Sequence, residues 1–123
     1  MSGVKSYLRS ARIISDGAMT STNVLTSTEI DISAAECAAI ELVWTGTPTG
    51  TFAVQACVNV AQAGAAPGAG VTFQTIVVPA AAAGAAGNHL INLSDMGFSK
   101  LRVTYTNSSG TGVLNAYITV KGV

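Results

Sequence analysis

Between Leu101 and Val120 apolar and polar side chains alternate with a period of two, interrupted once by a run of turn formers. Leu101, Val103 and Tyr105 are set against Arg102, Thr104 and Thr106, the pattern of a strand with one buried face. Asn107-Ser108-Ser109-Gly110-Thr111-Gly112 follows, a segment of residues suited to turns and positive φ. Leu114, Ala116, Ile118 and Val120 then alternate with Asn115, Tyr117, Thr119 and Lys121, predicting a sheet strand at the C-terminus. A β-hairpin is the simplest connection. With Thr106 facing Val113, Tyr105 falls opposite Leu114, Val103 opposite Ala116 and Leu101 opposite Ile118. One face is then apolar on both strands, which a wrong register would not achieve.

Ala38 to Val60 repeats the pattern. Ala38, Ile40, Leu42 and Trp44 form one face, and Phe52, Val54, Ala56 and Val58 another. Gly46-Thr47-Pro48-Thr49-Gly50 between them is a turn. Pairing Trp44 with Phe52 as an aromatic cross-strand pair sets Leu42 on Val54, Ile40 on Ala56 and Ala38 on Val58. Glu41, Val43, Gln55 and Asn59 then face solvent, and Cys37 and Cys57 share that outer face, diagonal to one another.

Shorter alternations complete the pass. Tyr7 to Ile14 predicts a strand ended by Asp16-Gly17; Val24-Leu25 and Glu29 to Ile32 predict short ones. Ser33 and Glu36 have capping-box spacing, read as one turn. Ala61 to Gly70 is a small-residue loop, Val71 to Val78 a strand, Ala80 to Gly87 a loop, and His89 to Leu93 a short strand. The eight alanine-rich residues at 80–87 are too few to nucleate a helix. Met96 and Phe98, in the turn at 94–99, are expected to plug one end of the core. Short strands with Gly/Pro/Thr/Ser turns predict an all-β, single-domain, jelly-roll-like β-sandwich of about eight antiparallel strands over residues 1–123. Residues 1–6 are expected to form an extended N-terminal arm.

Composition narrows the function. Lys plus Arg and Asp plus Glu number 6 each, for a formal net charge of zero. Nucleic-acid and anionic-membrane binding call for a basic stripe, so neither partner is expected. Only 10% of residues are charged, about 40% of the globular norm. A surface so poor in charge associates readily, which favours self-association or incorporation into a larger assembly. The apolar run of a signal peptide is broken by Arg12, Ser15 and Asp16. No stretch reaches the roughly 18 apolar residues of a membrane helix. Cytoplasmic synthesis is therefore expected.

Few residues suggest chemistry. His89 is the only histidine, at a strand start with no adjacent nucleophile or carboxylate, and reads as a surface residue rather than a general base. Asp16, Glu29, Asp31, Glu36, Glu41 and Asp95 are scattered. Glu29 and Asp31 share a strand face, but two carboxylates make a poor cation site. Cys37 and Cys57 lack metal-ligand spacing. They are read as free thiols, against a diagonal intrachain bridge with a strained Cα separation and an intermolecular bridge. Gly64 to Gly70 lacks the strand–helix context and lysine of a phosphate loop. No catalytic residue, metal or cofactor is expected. Sugar binding on a β-sandwich would call for exposed aromatics, and only Tyr7 and Tyr117 are placed outside.

Two segments carry a resemblance. IELVWTGTPTGTFAVQACVNV, from Ile40 to Val60, resembles a recurrent WTGTPxGTFxVQ hairpin, and LRVTYTNSSGTGVLNAYITVKGV, from Leu101, resembles a recurrent LRVxYTxxSGTGxLNAYxxxKG ending. Ala85-Ala86-Gly87-Asn88-His89-Leu90 extends the likeness. Together they resemble small β-sandwich virion proteins of tailed bacteriophages, whose members serve in capsid decoration, as head or tail appendages and in association with fibres. The resemblance implies a non-catalytic virion component assembled in the host cytoplasm, foremost a capsid decoration protein binding the major capsid protein. A homo-oligomer is implied, with a trimer fitting capsid threefold points. Lys5, Arg9 and Arg12, clustered between Met1 and Arg12, are the candidate capsid-contact residues if this segment acts as an arm; the alternative is that they only lead into the first strand. The rival expectation is a receptor- or glycan-binding module on the tail or head surface.

Overall fold

The computed structural model describes residues 8–20, 24–32, 36–58, 72–94 and 98–122. Lys5, Tyr7, the proposed arm at 1–6, most of the Ser33–Glu36 turn, Asn59, the loop at 61–70, Asp95 and Met96 lie outside them. The strands in chain order are β1 (Leu8–Met19), β2 (Val24–Thr26), β3 (Ile30–Asp31), β4 (Cys37–Gly46), β5 (Thr49–Cys57), β6 (Gln74–Val77), β7 (Ala82–Ala83), β8 (Gly87–Leu93), β9 (Lys100–Ser109) and β10 (Gly112–Lys121). Helices are absent among the described residues.

Two antiparallel sheets pack face to face. One has the order β1-β10-β4-β8; the other has β2-β9-β5-β6, with β3 also pairing β9 and β7 also pairing β5. With β2 and β3 taken as one interrupted strand, and β6 and β7 as another, the ten strands occupy eight positions in a jelly-roll-like sandwich. The expected fold class is thus the observed one.

The connections differ from the expected hairpins. β9 and β10 lie in different sheets, as do β4 and β5. Each pair forms an arch across the sandwich instead of a ladder. The ladders run between the arches. β4 pairs β10, placing Trp44 by Leu114, Leu42 by Ala116 and Ile40 by Ile118. β5 pairs β9, placing Phe52 by Tyr105, Val54 by Val103 and Ala56 by Leu101. The two arches therefore form one two-stranded ribbon folded over at Gly46–Thr49 and Ser109–Gly112. Inward faces were read correctly within the strands, because alternation puts the same residues inside in a hairpin and in an arch; Val58, read as inward, instead follows the end of β5 and is 65% exposed. Trp44 and Phe52 do meet, with ring centroids 5.0 Å apart, but across the interior.

Folding over a ribbon brings backbone against backbone, and the corner shows how. Gly46 and Gly110 have φ of +88° and +73°, which side chains other than glycine's adopt at a cost. The Thr47 amide donates to the Thr111 carbonyl at 2.8 Å. A register break between Thr49 and Gly50 adds a residue on β9, the kind of bulge that turns a ribbon. Inside the corner Tyr105 and Asn107 are almost fully buried. The Tyr105 hydroxyl donates to Asn107 Oδ1 at 2.7 Å, and Asn107 Nδ2 donates to the Gly110 carbonyl at 3.1 Å.

β1 also corrects a sequence reading. Asp16-Gly17 does not end it; the strand continues to Met19 through two register breaks against β10. Ile13 and Ile14 are consecutive and both buried, as a bulge permits and a regular strand does not. Asp16 takes φ of +48°, a conformation that Asp tolerates better than most residues. Ala82–Ala83, read as loop, makes a short pairing with β5. Phe98 packs against the core as expected.

Candidate interaction surface

The reactive side chains do not converge. His89 lies on the inward side of β8, its ring 5.3 Å from Trp44 and 6.2 Å from Phe52, with Nε2 2.7 Å from the Ala80 carbonyl oxygen. It is half-buried and part of an aromatic cluster rather than a loop residue. Glu29 lies 3.8 Å from Lys100, both exposed, and Asp31 pairs with Lys100 in register. Their neighbour is a cation already within the chain. Among the described residues no group of three or more His, Cys, Asp or Glu could hold a metal ion.

Cys37 and Cys57 are free thiols, but they are not diagonal neighbours. Cys37, half-buried, belongs to the sheet of β4 and Cys57, buried, to the sheet of β5. Both occupy outward positions of their strands, so the whole sandwich separates them. Packed sheets stand about 10 Å apart, beyond the roughly 7 Å Cα limit of a disulfide.

The candidate contact residues are dispersed. Lys5 lies outside the described residues. Arg9 pairs with Val120 in the β1–β10 ladder. Arg12 is held within its own sheet: Nε donates to Asn115 Oδ1 at 3.1 Å, and Nη2 donates to the same oxygen and, at 3.3 Å, to Asp16 Oδ1. Asn115 Oδ1 also accepts from the Asp16 backbone amide at 2.8 Å. The guanidinium carbon lies 5.8 Å from the centroid of the Tyr117 ring. Arg12 thus ties the β1 bulge to β10. Sequence reading missed this cluster because Asp16 and Asn115 are 99 residues apart, and only the β1–β10 register brings them together.

The outer sheet faces are the broadest surfaces. On the β1-β10-β4-β8 sheet, cross-strand rows read Ser10–Thr119–Ala39–Asn92, Arg12–Tyr117–Glu41–Leu90 and Asn115–Val43–Asn88. Only Arg12 and Glu41 are charged within these rows. On the other sheet, rows read Val24–Thr106–Thr51, Thr26–Thr104–Ala53 and Arg102–Gln55–Thr75. Arg102, the one charge in these rows, donates to Gln55 Oε1 at 2.8 Å and lies 4.1 Å from the Phe73 ring centroid, and the end row Asp31–Lys100–Cys57 adds two more charges. Exposed large apolar residues among those described are Val24, Val58, Val78, Leu90, Val113 and Tyr117. Open grooves among the described residues include one of about 290 Å³ beside Cys37, Asn92 and Lys121 and one of about 410 Å³ beside Cys57, Gln74 and Phe98.

No family model matches the chain, and no curated protein matches it significantly. Similarity to solved structures is present in the fold. A chain in the structure of the infectious bursal disease virus Gx strain superposes with a TM-score of 0.54 and 11% identity, over 97% of this chain and 32% of that one. This chain thus spans about a third of that viral chain's length. A chain of the disulfide-linked pili of Bacillus endospore appendages superposes with a TM-score of 0.50 and 14% identity, over 100% of this chain and 96% of that one. At such identities the likeness is one of fold. The β-sandwich implied by the two motifs is the architecture that these chains share.

Proposed function

We propose that this protein is a non-catalytic structural component of a bacteriophage virion, and specifically a capsid decoration protein. The observation that carries the reading is the pair of broad outer faces, whose central rows hold three charges, Arg12, Glu41 and Arg102, among threonine, alanine, asparagine and valine, while Lys121, Lys100 and Asp31 lie in the end rows. The centre of such a face has few charges to desolvate when covered, and its hydroxyl and amide groups can be paired across a contact. It suits a protein docked in many copies on a protein lattice better than one diffusing alone. The WTGTP and SGTG motifs support the virion assignment through their resemblance, and the fold shared with a viral chain and a pilus chain is compatible with it.

On this reading the protein binds the major capsid protein as a symmetric oligomer, a trimer fitting the threefold positions of the lattice. It reinforces the head by burying surface on neighbouring subunits, and assembly takes place in the host cytoplasm. Since Arg12 is engaged within the sheet and Arg9 belongs to β1, Lys5 is the candidate left within the arm at 1–6 to contact the capsid.

Purified virions are expected to contain the protein at a fixed copy number, on the head in electron micrographs. Heads lacking it are expected to bind added protein saturably. Deleting residues 1–6 is expected to lower occupancy. Absence from virions would overturn the structural role; a tail position with binding to host-surface glycan would overturn decoration in favour of receptor binding.

A further inference from the structure

A sheet edge offers unpaired backbone N–H and C=O groups, and soluble proteins blunt their edges with charge, proline, bulges or brevity. Three of the four edge positions here are blunted. β1 carries Arg9, Arg12 and Asp16 and two register breaks. β2 and β3 are three and two residues long. β6 and β7 are four and two, and β6 has a register break against β5.

β8 has none of these devices. It runs for seven residues, Gly87-Asn88-His89-Leu90-Ile91-Asn92-Leu93, without proline, lysine, arginine or carboxylate, and pairs with β4 without a register break. At its centre Leu90 is 69% exposed, a value matched only by Val78 among the large apolar residues described. Val78 directly follows β6, the edge strand of the opposite sheet. His89 Nε2, reaching from β8, meets the nearby Ala80 carbonyl. Among the described residues, the two most exposed large apolar side chains therefore flank the same side of the sandwich.

We propose that two copies of this chain associate through β8, antiparallel and edge to edge, about a twofold axis at Leu90. The symmetry of the strand itself points to a second copy as the occupant. Antiparallel pairing about residue 90 sets Leu90 against the partner's Leu90, Asn88 against the partner's Asn92 and His89 against the partner's Ile91. On the outer face an apolar pair is then flanked by two amide pairs, each a favourable cross-strand combination. No like charges meet. The nearest carboxylates on that face, the two Glu41 side chains, stand three strand spacings apart, about 14 Å, beyond the roughly 8 Å screening length at physiological salt. Two four-stranded sheets become one continuous sheet, and the contact is isologous, as twofold symmetry requires. A single strand pair is a small interface beside the ~1,200 Å² of stable complexes, so the dimer forms reversibly with concentration. It does not depend on what the protein docks on, and it extends beyond the virion reading.

Sedimentation velocity of the full chain over a concentration series tests this. The weight-average sedimentation coefficient is expected to rise toward that of a dimer. Leu90→Lys, which sets two ammonium groups face to face, is expected to hold the protein monomeric, with circular dichroism and melting curves reporting that it stays folded. Val113→Lys, on the same outer face but on β10, is expected to leave dimerisation intact. In a Cys37→Ser background, Leu90→Cys is expected to give a disulfide dimer on mild oxidation. A chain that stays monomeric at every concentration, an oligomer that Leu90→Lys does not weaken, or a Leu90→Cys variant that fails to cross-link would each overturn the proposal. Loss of the virion role with dimerisation retained would leave this contact standing.

Discussion

A methyl group added at Gly110 should weaken the fold more than one added at either of two other glycines, because it meets two obstacles at once. Gly110 has φ of +73°, and placing a side chain in that region costs about 1–2 kcal/mol. A β-carbon there would also overlap the Thr47 carbonyl of the other arch and stand 3.2 Å from the Pro48 Cα. These are backbone atoms that cannot swing aside, and overpacking of this kind costs about 1–3 kcal/mol. The sum for Gly110→Ala is about 2–5 kcal/mol. Gly84→Ala isolates the first cost: φ is +81°, but the nearest atom to a β-carbon is Thr49 Oγ1 at 3.7 Å, ordinary contact. Gly50→Ala isolates the second: it needs no positive φ, but its β-carbon would overlap the Thr106 carbonyl oxygen and the buried Tyr105 hydroxyl. Urea unfolding followed through the single tryptophan, Trp44, measures all three, with an unchanged m-value showing that stability alone has moved. Each kcal/mol corresponds to roughly 3–6 °C in melting temperature for a chain of this size. If Gly110→Ala costs no more than Gly84→Ala, the two arches are not packed backbone to backbone at the corner, and the folded-ribbon description fails.

Further consequences follow from the buried and bridging groups. Burial raises the pKa of the Tyr105 phenol, so the folded state holds that proton more firmly than the unfolded chain does. Its contribution to stability is therefore fully present below about pH 10, the unfolded value, and is lost as pH rises through the folded pKa. Denaturation at several alkaline pH values should show a steeper loss in the wild type than in Tyr105→Phe; parallel losses would refute this. Asn115→Ala removes the acceptor of three hydrogen bonds on the β1 bulge and should cost about 1–2 kcal/mol by calorimetry. Arg12→Ala, exposed and part of a surface ion pair, should cost under about 1 kcal/mol; the reverse ranking would mean that the arginine, not the amide, holds the bulge. In native protein Cys37 should react with a thiol reagent well before Cys57, which is 3% exposed, and both should react in denaturant. Equal native rates would contradict the burial of Cys57.

The inward faces could be read from the sequence residue by residue. Leu101, Val103 and Tyr105, and Leu114, Ala116, Ile118 and Val120, all point into the core, because period-two alternation specifies a face. Alternation does not specify which strand lies next to which. A segment whose apolar face meets the next segment beside it and one whose apolar face meets it across the interior have the same pattern. Turn chemistry did not separate them either, since Asn107 to Gly112 offers residues suited both to a hairpin and to a tight crossing. What separates them is non-local: an arch at Gly46–Thr49 succeeds because another at Ser109–Gly112 lies against it, with Thr47 bonded to Thr111. Asp16-Gly17 has the same cause. A local breaker became a bulge because Asn115 on a distant strand receives both Arg12 and the Asp16 amide.

The same reasoning decides where function can be sought in this chain. The arches commit every strong alternation to the interior, so the two conspicuous motifs, at Trp44 and at Tyr105, are spent on the fold: Trp44 Nε1 donates to the Ala85 carbonyl at 2.8 Å and the Tyr105 hydroxyl to Asn107. Neither presents its ring to a partner. The residues left to meet another molecule are the outward half of each strand, and these are the threonines, asparagines and alanines that a sequence pattern passes over. Their contribution lies in the scarcity of charge across the central rows, a property of a surface and not of any one side chain. That is why composition, with 10% charged residues, pointed toward association, whereas no motif located the contact. Location required knowing the sheet order, since only the order makes β8 an edge, and only the edge gives the unremarkable sequence Asn-His-Leu-Ile-Asn a self-complementary pairing.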